Sequence, residues 1–512
     1  MFYWGSSACT TPTSRIFPNF MISRTPVALR EWIVLVCGGL TMVFTAWAFS
    51  GMPNWSIVTL MVGGLLTFLA AVVPLPERWN GLDGQHGNRE NVLRLLRFPF
   101  FWLSLLFLVY ISIQGLNPQW EQKYVGTAWY MEHSPEGSYI DWLPTGVETN
   151  YKPVSALRVF NFYTAAFALS WGLWVGLRRR KTVLMALWAF TLSGVSMSAV
   201  AIAQKYMEAP KVLWLIKSSN DHFWGSFFYR NHGVAFLILI LIACAFLYFY
   251  HYNKSQRHMQ KGGPYLLLLF FVFLVALSIA LALSRGGILF GAAFGSFFLL
   301  AAVVRSIFSH SFWAAILASL IVFGFLAGAG YSILRHVEVD AIVQRFGDIE
   351  ATIENMDKDS RMLSTKITWK MAKKRPVYGW GAGSWSYIFP MYQKSYPNLF
   401  YRGYHWKRGW WGRKYFVYAH NDLVQFLAEY GIVGCSMVVL GGAYWGFLAL
   451  FRSKGNRMAA LMLFGGVAVI LSHAFVEFIF QSPAYWVALN GFACLSCKLL
   501  VLHRTRMQQI EA

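Results

Sequence analysis

Residues 232–250 read HGVAFLILILIACAFLYFY, nineteen positions without an Asp, Glu, Lys or Arg. A helix rises about 1.5 Å per residue, so an apolar run of roughly 20 residues matches the hydrocarbon core of a bilayer. Working outward, runs of the same kind recur near 32–51, 55–73, 98–115, 156–177, 182–202, 264–283, 286–304, 311–331, 424–450, 459–480 and 484–502. That predicts twelve transmembrane helices, of which the quoted run is the sixth. The chain has 512 residues, 57% hydrophobic and 13% charged. This balance excludes an ordinary soluble enzyme and fits an all-α polytopic membrane protein.

Lys and Arg set the expected orientation. The connection at 75–97, RRRK (178–181), NKSQRHMQK (253–261), RSKGNR (452–457) and HRTR (503–506) all fall on one side. Assigned to the cytoplasm, they put both termini there and send the segments 116–155, 203–231 and 332–423 to the outer face. The chain then divides into residues 1–331, with nine helices and two outer loops; 332–423, a large helical outer loop; and 424–512, with three helices and a tail. The first twenty residues lack the apolar core of a cleavable signal peptide, and Met21 is a candidate start.

None of the six cysteines falls in the outer loops, so no disulfide framework is expected there. Cys494 and Cys497 form a CxxC inside the last helix, without a second ligand pair, and read as core packing rather than metal or redox chemistry.

The net charge of +22 is not all cytoplasmic anchoring. From Arg361 to His420 there are twelve Lys and Arg and no Asp or Glu. The segment begins as a helix, capped by Asp359 or Ser360, with Leu363, Ile367 and Met371 as its apolar stripe; Pro376 ends it, and Gly379, Gly381 and Gly383 form a turn. Aromatic rings then alternate with Lys and Arg through 387–418. Rings stack on the apolar faces of sugars and cations meet phosphate, so the pattern suits a glycan bearing phosphate. An interfacial belt touching anionic lipid is the plainer alternative, and nucleic acid is excluded by location. Trp385 and Arg402 are candidate sugar-binding residues within this segment.

Three arginines stand at helix junctions: Arg230 in FFYRNHGVAF (227–236), Arg285 in ALSRGGILF (282–290), and Arg361 in DSRM (359–362). A cation at membrane depth needs a partner or a cavity, and a ligand anion is a suitable one. In YAHNDLVQFLAEYGIVG (418–434), Asn421 or Asp422 can cap the tenth helix, with Leu423, Phe426, Leu427 and Tyr430 as its buried face. His420 is left unexplained by packing. The helix N-terminus and the neighbouring cations favour its neutral form, which can accept a proton. Glu477 and Gln481, one turn apart on the eleventh helix, could orient His420 or bind a sugar hydroxyl. The sequence DKD (357–359) reads as helix capping rather than a metal site.

GSFFYRNHGVAF (225–236), LSRGG (283–287), SRMLSTKITWKMAKKRPVYGWGAGSW (360–385) and AHNDLVQFLAEYGIVG (419–434), in that order, resemble the O-antigen ligase and polymerase (Wzy/O-antigen ligase) family. The resemblance covers roughly 220–480 and departs from the usual pattern at Asp422 and at YRNH. It implies a metal-independent glycosyltransferase of the bacterial inner membrane with no cofactor. The implied donor is a glycan on a polyprenyl-pyrophosphate carrier; the implied acceptor is a hydroxyl on lipid A-core, a polysaccharide or a protein. Carried over, the catalytic residue is His420, the pyrophosphate-binding residues are Arg230, Arg285 and Arg361, and Asn421, Glu477 and Gln481 support them. A lipid-linked sugar flippase, or a protein O-oligosaccharyltransferase within the same family, is the alternative. Transporters often carry internal repeats and midplane polar groups; the two halves of this chain show no such repeat.

Overall fold

A helix that is apolar all round must be covered all round, and α7 (Arg230–Arg257) is buried along its whole apolar length at the centre of the bundle. The computed structural model describes residues 27–307 and 360–511, apart from 81–86, 127, 150–154, 219, 221, 258, 260–261, 406, 408 and 454. Packed around α7 are α6 (Arg180–Tyr206), α8 (Pro264–Leu281), α9 (Arg285–Ile307), α14 (Arg457–Val476) and α15 (Pro483–Glu511). A second group, α1 (Leu29–Thr45), α2 (Asn54–Val72), α4 (Pro99–Leu116), α5 (Ala156–Gly176) and α13 (Asp422–Phe451), completes the bundle, with a short α3 (Asn88–Leu96) between α2 and α4. Among the described residues, nine helices are long and apolar enough to cross a bilayer. The chain is a mostly helical, multi-pass membrane protein.

Two expected spans are shorter than their apolar composition suggests. The first stops at Thr45 rather than 51, because Phe49, Ser50 and Gly51 turn with positive φ. The eleventh stops at Val476, where Glu477 becomes extended (φ −149°, ψ 166°) and a 3₁₀ turn, Ile479–Gln481, leads to Pro483. Glu477 and Gln481 are therefore on a connector, not on a helix. The span expected at 311–331 and the DKD sequence lie outside the described residues. Cys494 and Cys497 are buried in α15, their thiols 3.4 Å from the carbonyl oxygens of Ser170 and Trp445, as core residues.

Polar contacts sort the connections to two ends. At one end Arg30 Nη2 reaches Val73 O (2.8 Å), and Glu31 accepts from the backbone N–H groups of Arg178 and Arg179. At the other, Ser226 bonds Ala46 O, Ser482 Oγ bonds Ser50 O (2.9 Å), and Ser284 Oγ bonds Asn231 Oδ1 (2.7 Å). This second end carries a small core of its own, with Ile367, Met371, Trp380, Trp385, Ile388 and Phe389 at its centre. Helices α10 (Ser360–Lys374), α11 (Trp385–Gln393) and α12 (Pro397–Phe400) supply most of it.

Five strands, not expected from the sequence, complete this end. Strands β1 (Pro118–Val125), β2 (Ala128–His133) and β3 (Gly146–Glu148) form a sheet in the order β2-β1-β3. Their register puts Trp120, Gln122, Met131 and Trp129 on one face and Glu121, Lys123 and Glu132 on the other, so the aromatic face packs inward. A hairpin, β4 (Tyr401–His405) and β5 (Gly409–Arg413), joins it through Arg413, whose guanidinium lies 4.8–5.2 Å from the ring centres of Tyr415, Trp129 and Phe400.

Candidate functional site

The site begins with a break in α13. Gly431 has φ 60°, and a Cβ there would sit 2.3 Å from Val377 O. Gly379 (φ 71°) is its counterpart, where a Cβ would meet Glu429 O at 2.4 Å. Only glycine permits this approach. The turn 376–383 then adds its own bonds to the broken helix: Trp380 N to Ala428 O (2.8 Å), Gly381 N to Glu429 O (2.9 Å) and Ile432 N to Pro376 O (2.8 Å). From α4, the Tyr110 hydroxyl lies 2.8 Å from both Tyr378 O and Tyr430 O, and Gln114 Nε2 donates to Tyr378 O (2.9 Å). The carbonyls freed by the kink are thereby satisfied.

This docking changes which side of α13 is buried. Leu423, expected inside, is 40% exposed, while Asp422, Gln425, Phe426, Glu429 and Tyr430 are buried. The polar members serve backbone donors: Glu429 Oε1 accepts from Trp385 N (3.1 Å), and Gln425 Oε1 from Ala419 N (2.9 Å). Asn421 Oδ1 caps α13 through Val424 N (3.1 Å).

Those bonds fix the segment that carries His420. Its φ of 55° is left-handed, a conformation that costs a non-glycine residue about 1–3 kcal/mol and persists where the surroundings impose it. His420 Nδ1 lies 2.9 Å from Glu477 Oε1. A carboxylate there holds the proton on Nδ1 and leaves the lone pair on Nε2 as an acceptor.

Glu477 is the hub. Its Oε1 also accepts from Phe478 N (3.3 Å); its Oε2 accepts from Asn231 Nδ2 and from the Tyr229 hydroxyl (3.4 Å), and lies 3.7 Å from Arg361 Nη1. Glu477 has a side chain 4% exposed and Arg361 one 53% exposed, so the cluster opens to its surroundings on the arginine side. Burial raises the Glu477 carboxyl, but the His420 hydrogen bond and the Arg361 charge outweigh it and hold it below the ordinary value. Burial and the Glu477 charge push the Tyr229 phenol up, keeping it a neutral donor. Phe478 packs at the centre of four rings: Tyr229 (stacked, 5.2 Å), His232, Tyr418 and His420 (4.7 Å).

Of the three arginines, one reaches this hub and two stand next to residues bonded into it. Arg361 touches it. Arg230 opens α7 beside Tyr229, where its charge and that of Arg361 are both felt. Arg285 opens α9 next to Ser284, whose hydroxyl donates to Asn231 Oδ1 and accepts from Gly287 N (3.3 Å). The starts of α7, α10 and α13 therefore lie around one carboxylate, with that of α9 tied to it through Ser284 and Asn231, each contributing partial positive charge.

Other candidates stand elsewhere. Gln481 bonds Asp422 Oδ1 (3.0 Å), not His420. Trp385 is fully buried, its Nε1 donating to Thr368 Oγ1 (2.9 Å) and its ring stacked on Phe389, so it has no face for a sugar. Arg402 is exposed on β4. Tyr229, Asn231 and Ser284 are further members of the cluster, and each adjoins one of the three arginines in sequence. Phe478 carries no chemical signal in the sequence, and Asp422 stands there only as an alternative helix cap.

Fold and cluster define a multi-pass membrane protein with a polar, cation-rich site where several helices begin. Residues 268–439, about a third of the chain, match the family model described as O-antigen ligase. The matched segment holds Arg285, Arg361 and His420; Arg230 and Glu477 lie outside it. No curated protein matches the chain.

Proposed function

We propose that this protein transfers a glycan from a polyprenyl-diphosphate carrier to an acceptor hydroxyl on the outer face of the bacterial inner membrane. The acceptor is lipid A-core, a growing polysaccharide or a protein. The acceptor oxygen attacks the anomeric carbon as the bond to the diphosphate oxygen breaks, and its proton passes to His420 Nε2. Attack opposite the leaving group inverts the anomeric centre. Arg230, Arg285 and Arg361, with the helix N-termini around them, take up the charge of the departing diphosphate. Glu477 fixes the imidazole tautomer and stabilises the imidazolium. The orientation rests on the basic connections gathered at the opposite end of the bundle.

The observation that carries this reading is the Glu477 hub, which brings a histidine base and an exposed guanidinium onto one carboxylate at the mouth of four helices. Its test is purified protein in liposomes with a polyprenyl-diphosphate glycan and a lipid A-core acceptor. Product should form with the parent and be lost with His420→Ala. Normal transfer by that variant would overturn the base assignment, and passage of glycan across the bilayer without transfer would favour a flippase.

A further inference from the structure

The connector that carries Glu477 is six residues long and has no regular structure beyond one 3₁₀ turn. A carboxylate on such a segment is placed only as well as the segment itself. Two of the connector's ties go to one side chain: Phe480 N donates to Asp422 Oδ2 (2.7 Å) and Gln481 Nε2 to Asp422 Oδ1 (3.0 Å). Asp422 stands two residues beyond His420. The segments 420–422 and 477–481 are therefore joined twice, once by His420–Glu477 and once by Asp422 with Phe480 and Gln481.

Asp422 is fully buried, and no cation is paired with it among the described residues. An unpaired buried carboxylate is expensive to keep. A helix cap does not explain it, because Asn421 already caps α13. Nor does local packing, since an apolar side chain would fill the same space. What the carboxylate does is accept two N–H donors from the connector at once. It needs no reorientation of the Gln481 amide to do so.

We propose that Asp422, with Gln481, is a positioning residue: it latches the 477–481 connector to the head of α13 and so sets the Glu477 carboxylate against His420. This rests on the proposed roles of His420 and Glu477. Asp422 touches neither substrate nor the reacting atoms; it acts through the connector. Asparagine can do the same work, with its oxygen taking the Phe480 N–H and its amide facing a Gln481 carboxamide turned end for end. Alanine cannot.

The experiment uses the full chain in lipid nanodiscs and reads two quantities: the rate at which diethyl pyrocarbonate modifies His420, resolved by peptide mass, and glycan transfer. Asp422→Ala should raise the His420 modification rate severalfold. It should lower kcat by roughly 10- to 100-fold with little change in KM, the scale of misplacing a group by about 1 Å. Asp422→Asn should recover most of both. If Asp422→Ala does not fold, Gln481→Leu removes one of the two ties and should give the same pattern at smaller amplitude. Unaltered His420 reactivity in Asp422→Ala or Gln481→Leu, or an Asp422→Asn as impaired as Asp422→Ala, would overturn the latch. A parent protein that transfers no glycan while His420 reactivity still follows this order would support the latch and sink the proposed function alone.

Discussion

Two buried glutamates mark the two ends of this bundle, and their surroundings differ. Glu31 is fully buried; its Oε1 accepts from the backbone N–H groups of Arg178 (2.9 Å) and Arg179 (2.8 Å) and from the Thr182 hydroxyl, and its Oε2 lies 3.8 Å from Arg179 Nε. Arg178 and Arg179 immediately precede α6 and Thr182 lies in its first turn, so Glu31 fixes the entry to that helix from another one. Glu477 is nearly as buried, but its partners are mostly side chains: an imidazole, a carboxamide, a phenol and, as an ion pair at 3.7 Å, a half-exposed guanidinium. A carboxylate spent on backbone amides organises a fold. One surrounded mostly by titratable and cationic side chains, open on one edge, is the arrangement the proposed transfer needs.

That contrast can be broken in order of expected effect. His420→Ala should reduce transfer by about 10²–10⁴-fold, the usual worth of a general base, while thermal unfolding in detergent stays close to the parent. A comparable loss of both stability and transfer would return His420 to a structural role. Glu477→Gln removes the charge but keeps the shape, and turns an amide N–H₂ toward Arg361, Asn231 and Tyr229. Transfer should drop roughly 10- to 100-fold, as for other groups that orient a reactive histidine, read from initial rates at saturating donor.

Glu31→Gln should behave in the opposite way. It replaces the charged acceptor of three hydrogen bonds at the head of α6 by a neutral one and turns an amide N–H₂ toward the Arg179 guanidinium, which destabilises by about 1–3 kcal/mol, and kcat of the surviving folded protein should be that of the parent. A fall in kcat would erase the distinction between the two ends. The smallest effect is in pH. Glu477 is held below its ordinary value of 4.5, so the stability it contributes is fully present above 4.5 and is lost only as pH falls through the depressed value. The difference in unfolding between parent and Glu477→Gln should therefore be flat above that point and shrink below it.

The bilayer made much of the architecture readable. Helices α7, α8 and α15 follow from apolar runs because lipid tolerates no unpaired backbone, and a run of that length has one way to satisfy it. His420 and the arginines could be singled out because charged or titratable residues at helix mouths lack a packing explanation. Trp385 was misread for the converse reason. An aromatic in a basic, outward segment looks available for a sugar until Thr368 and Phe389, close in the chain, are seen to enclose it. The β1–β2 hairpin was hidden inside a segment where membrane-length runs were the only strong signal.

Composition and periodicity alone determined that this chain is a membrane bundle with a basic, aromatic elaboration near its C-terminal third, because those properties depend on residues a few positions apart. The tertiary structure decided which polar groups meet. Glu477 finds Asn231 across 246 residues and His420 across 57, and nothing in either local sequence encodes the other. The helix lengths, the kink at Gly431 and the early end of α14 set those meetings. Hydrogen bonds act over about 3 Å, so a site of this kind exists only once the helices are in place.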